Sequence, residues 1–479
     1  MIPKGFNHVK HFLSGEKKAP GSRPPRFLAF RSSSTFILAT VCIAIFTDIL
    51  LYGIIVPVIP FALTSRVAVS EDSVQTWNAI LLACYTIALF IGSPLVGIYA
   101  DHTSSRRWPL LIGLFALAGA TIFLCLGRSI VLLILGRILQ GISAAIVWSV
   151  GLALMADTVP NNIGQAMGYS AIAMSLGLLV SPAIGGAVFS GAGYYAVYYG
   201  TVDAALANQP LADISVVSGK SVSEGQVEGM KHDGRVIDVV PPPALVVTSC
   251  KTARHPKLKL LKSRRILAAN FGIIIQAGVM FSWDTVLPLF VKSTFHWPST
   301  AAGLIFLCIF IPGFISPVVG WLSDRYGAKW PSFAGFLASI PLLVCLRVVT
   351  ANTTDHKVLL GALLALMGVT LVFSNTPLMA EITYAIEAEE AKSPGIFGKN
   401  GVYGLGYGLF CTAFALGGSI GSLMSGYVMA GAGWSTLTWA LAVWMAGGAV
   451  VVALAVGGKP AGGTKTLLHR EENSTESRD

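Results

Sequence analysis

Residues 93–101 read Ser93-Pro-Leu-Val-Gly97-Ile-Tyr-Ala-Asp101, and residues 316–324 read Ser316-Pro-Val-Val-Gly320-Trp-Leu-Ser-Asp324. Both follow one pattern, S-P-x-V-G-x-x-x-D. Each closes a long apolar block and is followed by basic residues, Arg106 and Arg107 in the first copy and Arg325 and Lys329 in the second. A second echo lies upstream of each copy. Asp48 and Asp284 interrupt apolar runs, with Pro57 and Pro60 after the first and Pro288 after the second. The chain therefore reads as two similar halves.

The composition says what kind of halves these are. Of the 479 residues, 54% are hydrophobic and 12% are charged, and the mean hydropathy is +0.70. A soluble domain carries about a quarter charged residues, so a large soluble enzyme is excluded. Many apolar blocks approach the roughly 20 residues that cross a bilayer as a helix. Barrel strands would be about 10 residues with alternating polarity. The expectation is an all-α membrane protein.

Spans are predicted at 36–63, 77–100, 109–126, 130–156 and 166–190, then at 266–291, 301–322, 331–349, 358–380, 403–432 and 435–457. The formal charge of +10 does not point to nucleic acid, because the basic residues gather in the segments between apolar blocks. Cytoplasmic loops show this enrichment. The N-terminal arm, the segment with Arg106 and Arg107, the stretch from Lys251 to Arg265, the segment with Arg325 and Lys329, and the tail with Lys459 and Lys465 are all assigned to the cytoplasm.

These assignments require an even number of crossings before residue 251, whereas five spans are clear. The sixth is predicted from Tyr194 to about Val217. It contains Asp203, Asn208, Pro210 and Asp213, and each central acid costs roughly 2.5–3.5 kcal/mol to insert. The sixth helix is thus weak or degenerate, giving 11–12 spans. The resulting organisation is a basic cytoplasmic arm (1–35), an N-terminal bundle (36–217), a cytoplasmic linker (218–265) rich in Gly, Pro and mixed charge, a C-terminal bundle (266–457) and a cytoplasmic tail (458–479). The arm has no apolar core, so no cleavable signal peptide is expected. The seven cysteines form no CxxC or Cys/His spacing, and no metal site is expected.

Four motifs, in order, carry a family resemblance. Gly97-x-x-x-Asp101-x-x-x-x-Arg106-Arg107 resembles the loop motif after the second helix of the major facilitator superfamily. Arg137-Ile-Leu-Gln140-Gly141 is similar to its fourth-helix motif. Gly177-Leu-Leu-Val-Ser-Pro182-Ala-Ile-Gly185-Gly186 resembles its fifth-helix antiporter motif, typical of drug:proton antiporters and relatives of vesicular amine transporters. Asp48-Ile-Leu-Leu-Tyr52-Gly53, with Pro57 and Pro60, resembles the first helix of fungal members. The resemblance implies the major facilitator fold, two pseudo-symmetric six-helix bundles. It also implies a monomeric secondary transporter in the lipid bilayer, driven by a proton gradient with no other cofactor. Its substrate would be a small organic molecule such as a drug, toxin or secondary metabolite, exported across a plasma, vacuolar or vesicular membrane. The rival expectations are a metabolite facilitator or importer, or an inactive member damaged at the sixth helix.

Candidate residues follow. An ionisable group within a span is a functional hypothesis by default. Asp48 and Asp284 are therefore candidates to bind a proton or a cationic substrate, against a purely structural carboxylate. Arg137 keeps its charge and is expected to face a carboxylate or the cavity, against a simple interhelical lock. Glu381, near a cytoplasmic helix end, is expected to reach the interface. Trp148, Phe281 and Trp283 either line a cavity or pack. Asp101 and Asp324, each with Arg and Lys nearby, are expected to latch helices in one of two conformations, with Gly97 and Gly320 beside them. Gly177, Pro182, Gly185 and Gly186 are expected to seal a helix contact. Asn352-Thr-Thr354 fits a glycosylation acceptor and would be extracellular with twelve spans. No Ser/His/Asp arrangement or phosphate loop suggests an enzyme.

Overall fold

The computed structural model describes residues 33–55, 63–64, 66–103, 106–216, 260–297, 299–393, 395–397 and 401–457. Among them there is no strand, and long helices follow one another with short connections. The first half holds α1 (Ser34–Ile55), α2 (Glu71–His102), α3 (Arg107–Leu126), α4 (Ile130–Thr158), α5 (163–192) and α6 (194–216). The second holds α7 (Arg264–Phe295), α8 (299–326, tightening to 3-10 geometry at Ile311–Ile315), α9 (Lys329–Leu346), α10 (Thr354–Lys392), α11 (403–432) and α12 (434–455). The linker between the halves, like most of the basic arm and the tail, lies outside the described residues.

Two tight reversals punctuate the bundle. Gly193 (φ 80°, ψ −176°) turns α5 into α6, and Gly433 (φ 77°, ψ −179°) turns α11 into α12. A positive φ of this kind is open to glycine and strained for other residues. The turns sit in matching sequences, Gly191-Ala-Gly193-Tyr194 and Gly431-Ala-Gly433-Trp434. The aromatic after each turn also does the same thing. Tyr194 donates its hydroxyl to the carbonyl of Leu124 at the end of α3 (2.7 Å), and Trp434 donates its indole N–H to the carbonyl of Leu346 at the end of α9 (2.9 Å). Each bond adds a second donor to a carbonyl in the last turn of a helix, beside the backbone N–H of Gly127 or Val349.

These contacts explain how the polar sixth segment folds as a helix. Tyr198 is buried with Ile54, Leu124 and Leu133. Arg66 clamps the turn from the side. It donates to the Cys125 carbonyl (3.1 Å) and to the Tyr195 hydroxyl (2.6 Å), and its guanidinium stands 4.3 Å and 4.6 Å from the Tyr194 and Tyr195 ring centroids. Residues 194–216 at 1.5 Å per residue extend about 34 Å, enough to recross a hydrocarbon core. Ten helices are apolar enough to count as membrane spans by composition. The last of these is folded in two at Gly433, and α6 is not among them.

Glycines bring helices to backbone contact. Within each half, α5 packs on α1 and α11 packs on α7. A Cβ at Gly177 would meet Ile49 at 2.6 Å, and one at Gly185 would meet the Ile54 carbonyl at 2.9 Å. In the other half Gly417 faces Ile274 and Gly421 faces Gly278. Between halves, α2 crosses α11 and α5 crosses α8. Gly97 abuts the Gly404 carbonyl, and Gly320 abuts that of Gly164. One end of the bundle thus carries Asp101, Asp157 and Asp324. The other carries the Gly193 and Gly433 turns and the exposed Asn352, whose side chain donates to the Phe295 carbonyl (3.5 Å).

Candidate functional site

The sequence placed Asp48 and Arg137 on different helices; the fold brings both to one buried cluster. Asp48 of α1 is 1% exposed and accepts a hydrogen bond from the Trp148 indole of α4 (3.1 Å). Around it stand Tyr52 and Tyr85, with ring centroids 4.7 Å apart, and Cys411 of α11. Trp148 thus bonds the Asp48 carboxylate, a contact that sequence left open between packing and cavity.

Arg137 is fully buried and donates Nη1 to Gln140 Oε1 (2.8 Å), one turn along α4. Its guanidinium lies 5.8 Å from the Tyr52 ring centroid. Nε and Nη2 have no partner among the described residues. Of the two expectations for Arg137, a carboxylate or the cavity, the contacts among the described residues show no carboxylate: its neighbours are an amide and an aromatic ring. Asp284 of α7 is exposed, with no hydrogen bond or ion pair among the described residues.

A second group of residues ties the halves together at the opposite level. Asp101 accepts from the backbone N–H of Gly404 and Leu405 at the start of α11 (2.8 Å each) and from Arg106 (3.1 Å). Arg106 also bonds Asp157 at the end of α4 (3.1 Å). Asp324 accepts from the N–H groups of Gly164 (2.7 Å) and Gln165 (2.9 Å) at the start of α5, and from the Tyr384 hydroxyl of α10 (2.6 Å). A carboxylate on free N–H groups at a helix N-terminus also meets the positive end of the helix dipole. Each half therefore caps a helix of the other.

The expected cation beside Asp324 is absent among the described residues. Arg325, the next residue along the helix, points away and lies 5.5 Å and 5.6 Å from the Trp321 and Tyr326 ring centroids. Lys329 forms no ion pair among the described residues. Tyr384 takes that place, sixty residues along the chain.

Glu381 also departs from expectation. It does not reach the interface: it is fully buried, paired with Arg265 of α7 (2.8 Å), and accepts the Gly457 N–H beyond α12 (3.0 Å). The signal was present in sequence as a further echo, Leu154-Met-Ala-Asp157 against Leu378-Met-Ala-Glu381. Asp157 and Glu381 occupy matching positions, and each pairs with an arginine from a different place in its half. Of the antiporter-like segment, Gly177 and Gly185 face α1 as described. The side chains of Pro182, Gly186 and Arg107 lie outside the described residues.

Comparison with known proteins agrees with this architecture. Residues 41–398 match the Major Facilitator Superfamily. An uncharacterised MFS-type transporter of Schizosaccharomyces pombe is 32% identical over 83% of this chain and 90% of its own length. More distantly, the vesicular acetylcholine transporter of Torpedo marmorata is 22% identical over 83% of this chain and 77% of its own. The solved structure of the proton:xylose symporter XylE superposes with a TM-score of 0.67 at 14% identity, covering 90% of this chain and 97% of that one, and so shares the fold. With these motifs in order along two echoing halves, the chain belongs to the major facilitator superfamily and is a multi-pass membrane transporter, not an enzyme.

Proposed function

We propose that this transporter exports a small organic molecule in exchange for protons, with Asp48 as the exchanging group. The observation that carries this reading is Asp48 itself: a carboxylate 1% exposed within a membrane helix, which accepts a hydrogen bond from a neutral indole N–H. Charge buried in a membrane without a counter-charge is costly, and a proton or a cationic group removes that cost. Asp284, exposed in the other half and without an ion pair among the described residues, is a second station for a proton or substrate. Arg137 keeps the cluster from holding a net negative charge when Asp48 ionises. The latches at Asp101 and Asp324 close the cytoplasmic side, and their release lets the halves rock. The plasma membrane is the proposed location; the vesicular relative makes an internal membrane the alternative to check by fluorescence microscopy of a tagged chain.

The test uses inside-out vesicles with an imposed pH gradient and three probes, rhodamine 6G, tetraphenylphosphonium and cyclo(L-Phe-L-Pro). Gradient-driven uptake of at least one is expected, and Asp48→Asn abolishes it while leaving the amount of folded protein unchanged. Undiminished gradient-driven uptake by Asp48→Asn removes Asp48 from the coupling.

A further inference from the structure

A groove of about 630 Å³ lies between α1 and α5 of the first half, at the end of the bundle that carries the latch aspartates. Its walls run from Ser34 to Phe46 on α1 and from Asn162 to Leu176 on α5. Further along, Gly177 and Gly185 bring the two helices together on Ile49 and Ile54. The groove does not face the seam between the halves. The seam face of α5 is marked by Gly164, Gly168 and Ser175, which meet Gly320, Pro317 and Gly313 of α8. With 3.6 residues per turn, the groove face of α5 points roughly 140° away from that seam face, and the groove face of α1 roughly 130° away from Asp48. The groove therefore opens outward, toward lipid, and Thr35, Ala39, Ile43 and Tyr169 on its walls are exposed.

The second half is closed differently at this level. There α12 lies over α7: Trp444 donates its indole N–H to the Ile275 carbonyl (3.0 Å), and a Cβ at Gly272 would meet Val452 at 3.5 Å. The described side-chain contacts of α6, the counterpart of α12, gather at its start, on Tyr194 and Tyr198. Its later residues include Asp203, Asn208, Pro210 and Asp213, a poor apolar cover.

The lining states what would fill the space instead. It is apolar along most of its length, and its polar side chains gather at one end, with Ser34, Thr35 and Asn162 outermost. No charged side chain among the described residues lines it, so a phosphate would meet no cation there. From Ser34 to Phe46 a helix rises about 18 Å, little more than half of the roughly 30 Å hydrocarbon core. The occupant is thus an amphiphile of one leaflet with a small neutral head. Ala39, Ala166 and Ala173 leave a smooth stretch of wall that suits a flat, rigid body.

We propose that this groove is a sterol site, with the sterol hydroxyl among Ser34, Thr35 and Asn162 and the fused rings against Ala39, Ala166 and Ala173. The site stands apart from the substrate's path and from proton exchange at Asp48.

The experiment is photolabelling of the purified full chain in phosphatidylcholine nanodiscs with a clickable diazirine sterol, the labelled peptides being mapped by mass spectrometry. Saturable labelling within 34–46 and 162–176 is expected, displaced by unlabelled cholesterol or ergosterol. The 3-O-methyl ether, which lacks the hydroxyl donor, should displace it about tenfold less well, and phosphatidylserine should not displace it. Ala39→Trp, at an exposed position, fills the groove and should lose this labelling. Even, unsaturable labelling of all lipid-facing helices overturns the proposal, as does displacement by phosphatidylserine equal to that by sterol. No labelling of these two stretches, as when α6 covers the groove, overturns it too. The comparison of competitors needs no variant, so a misfolded substitution does not shield it.

Discussion

The two aspartate caps between the halves, the proposed latches, begin from the same nine-residue pattern and end differently. In both, an aspartate at the end of one helix caps the N-terminus of a helix in the other half with two N–H bonds. Around Asp101 the capping carboxylate is joined to a cation, and Arg106 extends the chain to Asp157. Around Asp324 the third partner is a phenol. Lys329 stands five residues after Asp324, as Arg106 does after Asp101, but a lysine ammonium lacks the planar fork that lets one arginine bridge two carboxylates. The repeat therefore preserves the geometry of the cap, and each half neutralises its own charge in its own way. Among the described residues, the Asp101 group joins one arginine to two carboxylates, and the Asp324 group sets one carboxylate against neutral donors.

The largest expected effect removes the contact common to both. Gly320→Val drives a side chain into the Gly164 backbone, and Gly97→Val drives one into that of Gly404. Neither backbone can yield as a side chain would. Overpacking of this kind costs about 1–3 kcal/mol or more, so either variant should populate a cytoplasm-open state and lose most transport. Distance measurements between spin labels on the α2 and α11 cytoplasmic ends would read the opening. Unaltered distances in both variants would mean that the seams are not closed by glycine contact.

The next comparison separates the two carboxylates. Hydrogen bonds to charged groups contribute about 1.5–3 kcal/mol each. Asp101→Asn strips one of the two carboxylate charges that Arg106 faces and leaves that guanidinium near the positive end of α11 with Asp157 alone to offset it. Asp324→Asn leaves no such cation behind. The same distance measurement should show a larger shift for Asp101→Asn than for Asp324→Asn, and the reverse order would break the distinction drawn here.

A smaller effect is expected from the third partners. Tyr384→Phe deletes one neutral donor, about 0.5–1.5 kcal/mol, whereas Arg106→Gln should exceed it because it removes a charged donor from both Asp101 and Asp157. Thermal unfolding in detergent, followed with the same variants in transport, orders them. The smallest effect belongs to Arg325→Gln: among the described residues the arginine meets two exposed rings, so the change should leave transport and unfolding within experimental scatter. A loss equal to that of Arg106→Gln would show that Arg325 serves the latch in another conformation.

Sequence alone determined a good deal. Long apolar blocks can satisfy their backbone in lipid only as helices, so the all-α fold followed from composition and block length. The repeated S-P-x-V-G-x-x-x-D segments marked both latch aspartates and the glycines beside them. Asp48, Asp284 and Arg137 stood out because ionisable groups are rare in apolar runs. These are local properties of the chain, legible wherever the chain is read.

What the tertiary structure decided were the pairings. Asp324 chose Tyr384 over its neighbour Arg325, and Glu381 met Arg265 across more than a hundred residues. Trp148 reached Asp48 from another helix. A side chain's partner across a helix seam depends on crossing angle and register, which no stretch of sequence encodes by itself. The sixth helix is the clearest case. Its own residues argue against a membrane span, yet 194–216 is helical because Gly193 turns the chain back and Tyr194, Tyr198 and Arg66 dock its start on α3 and α1. Packing energy supplied by neighbours outweighed an unfavourable local composition there, and only the assembled bundle contains those neighbours.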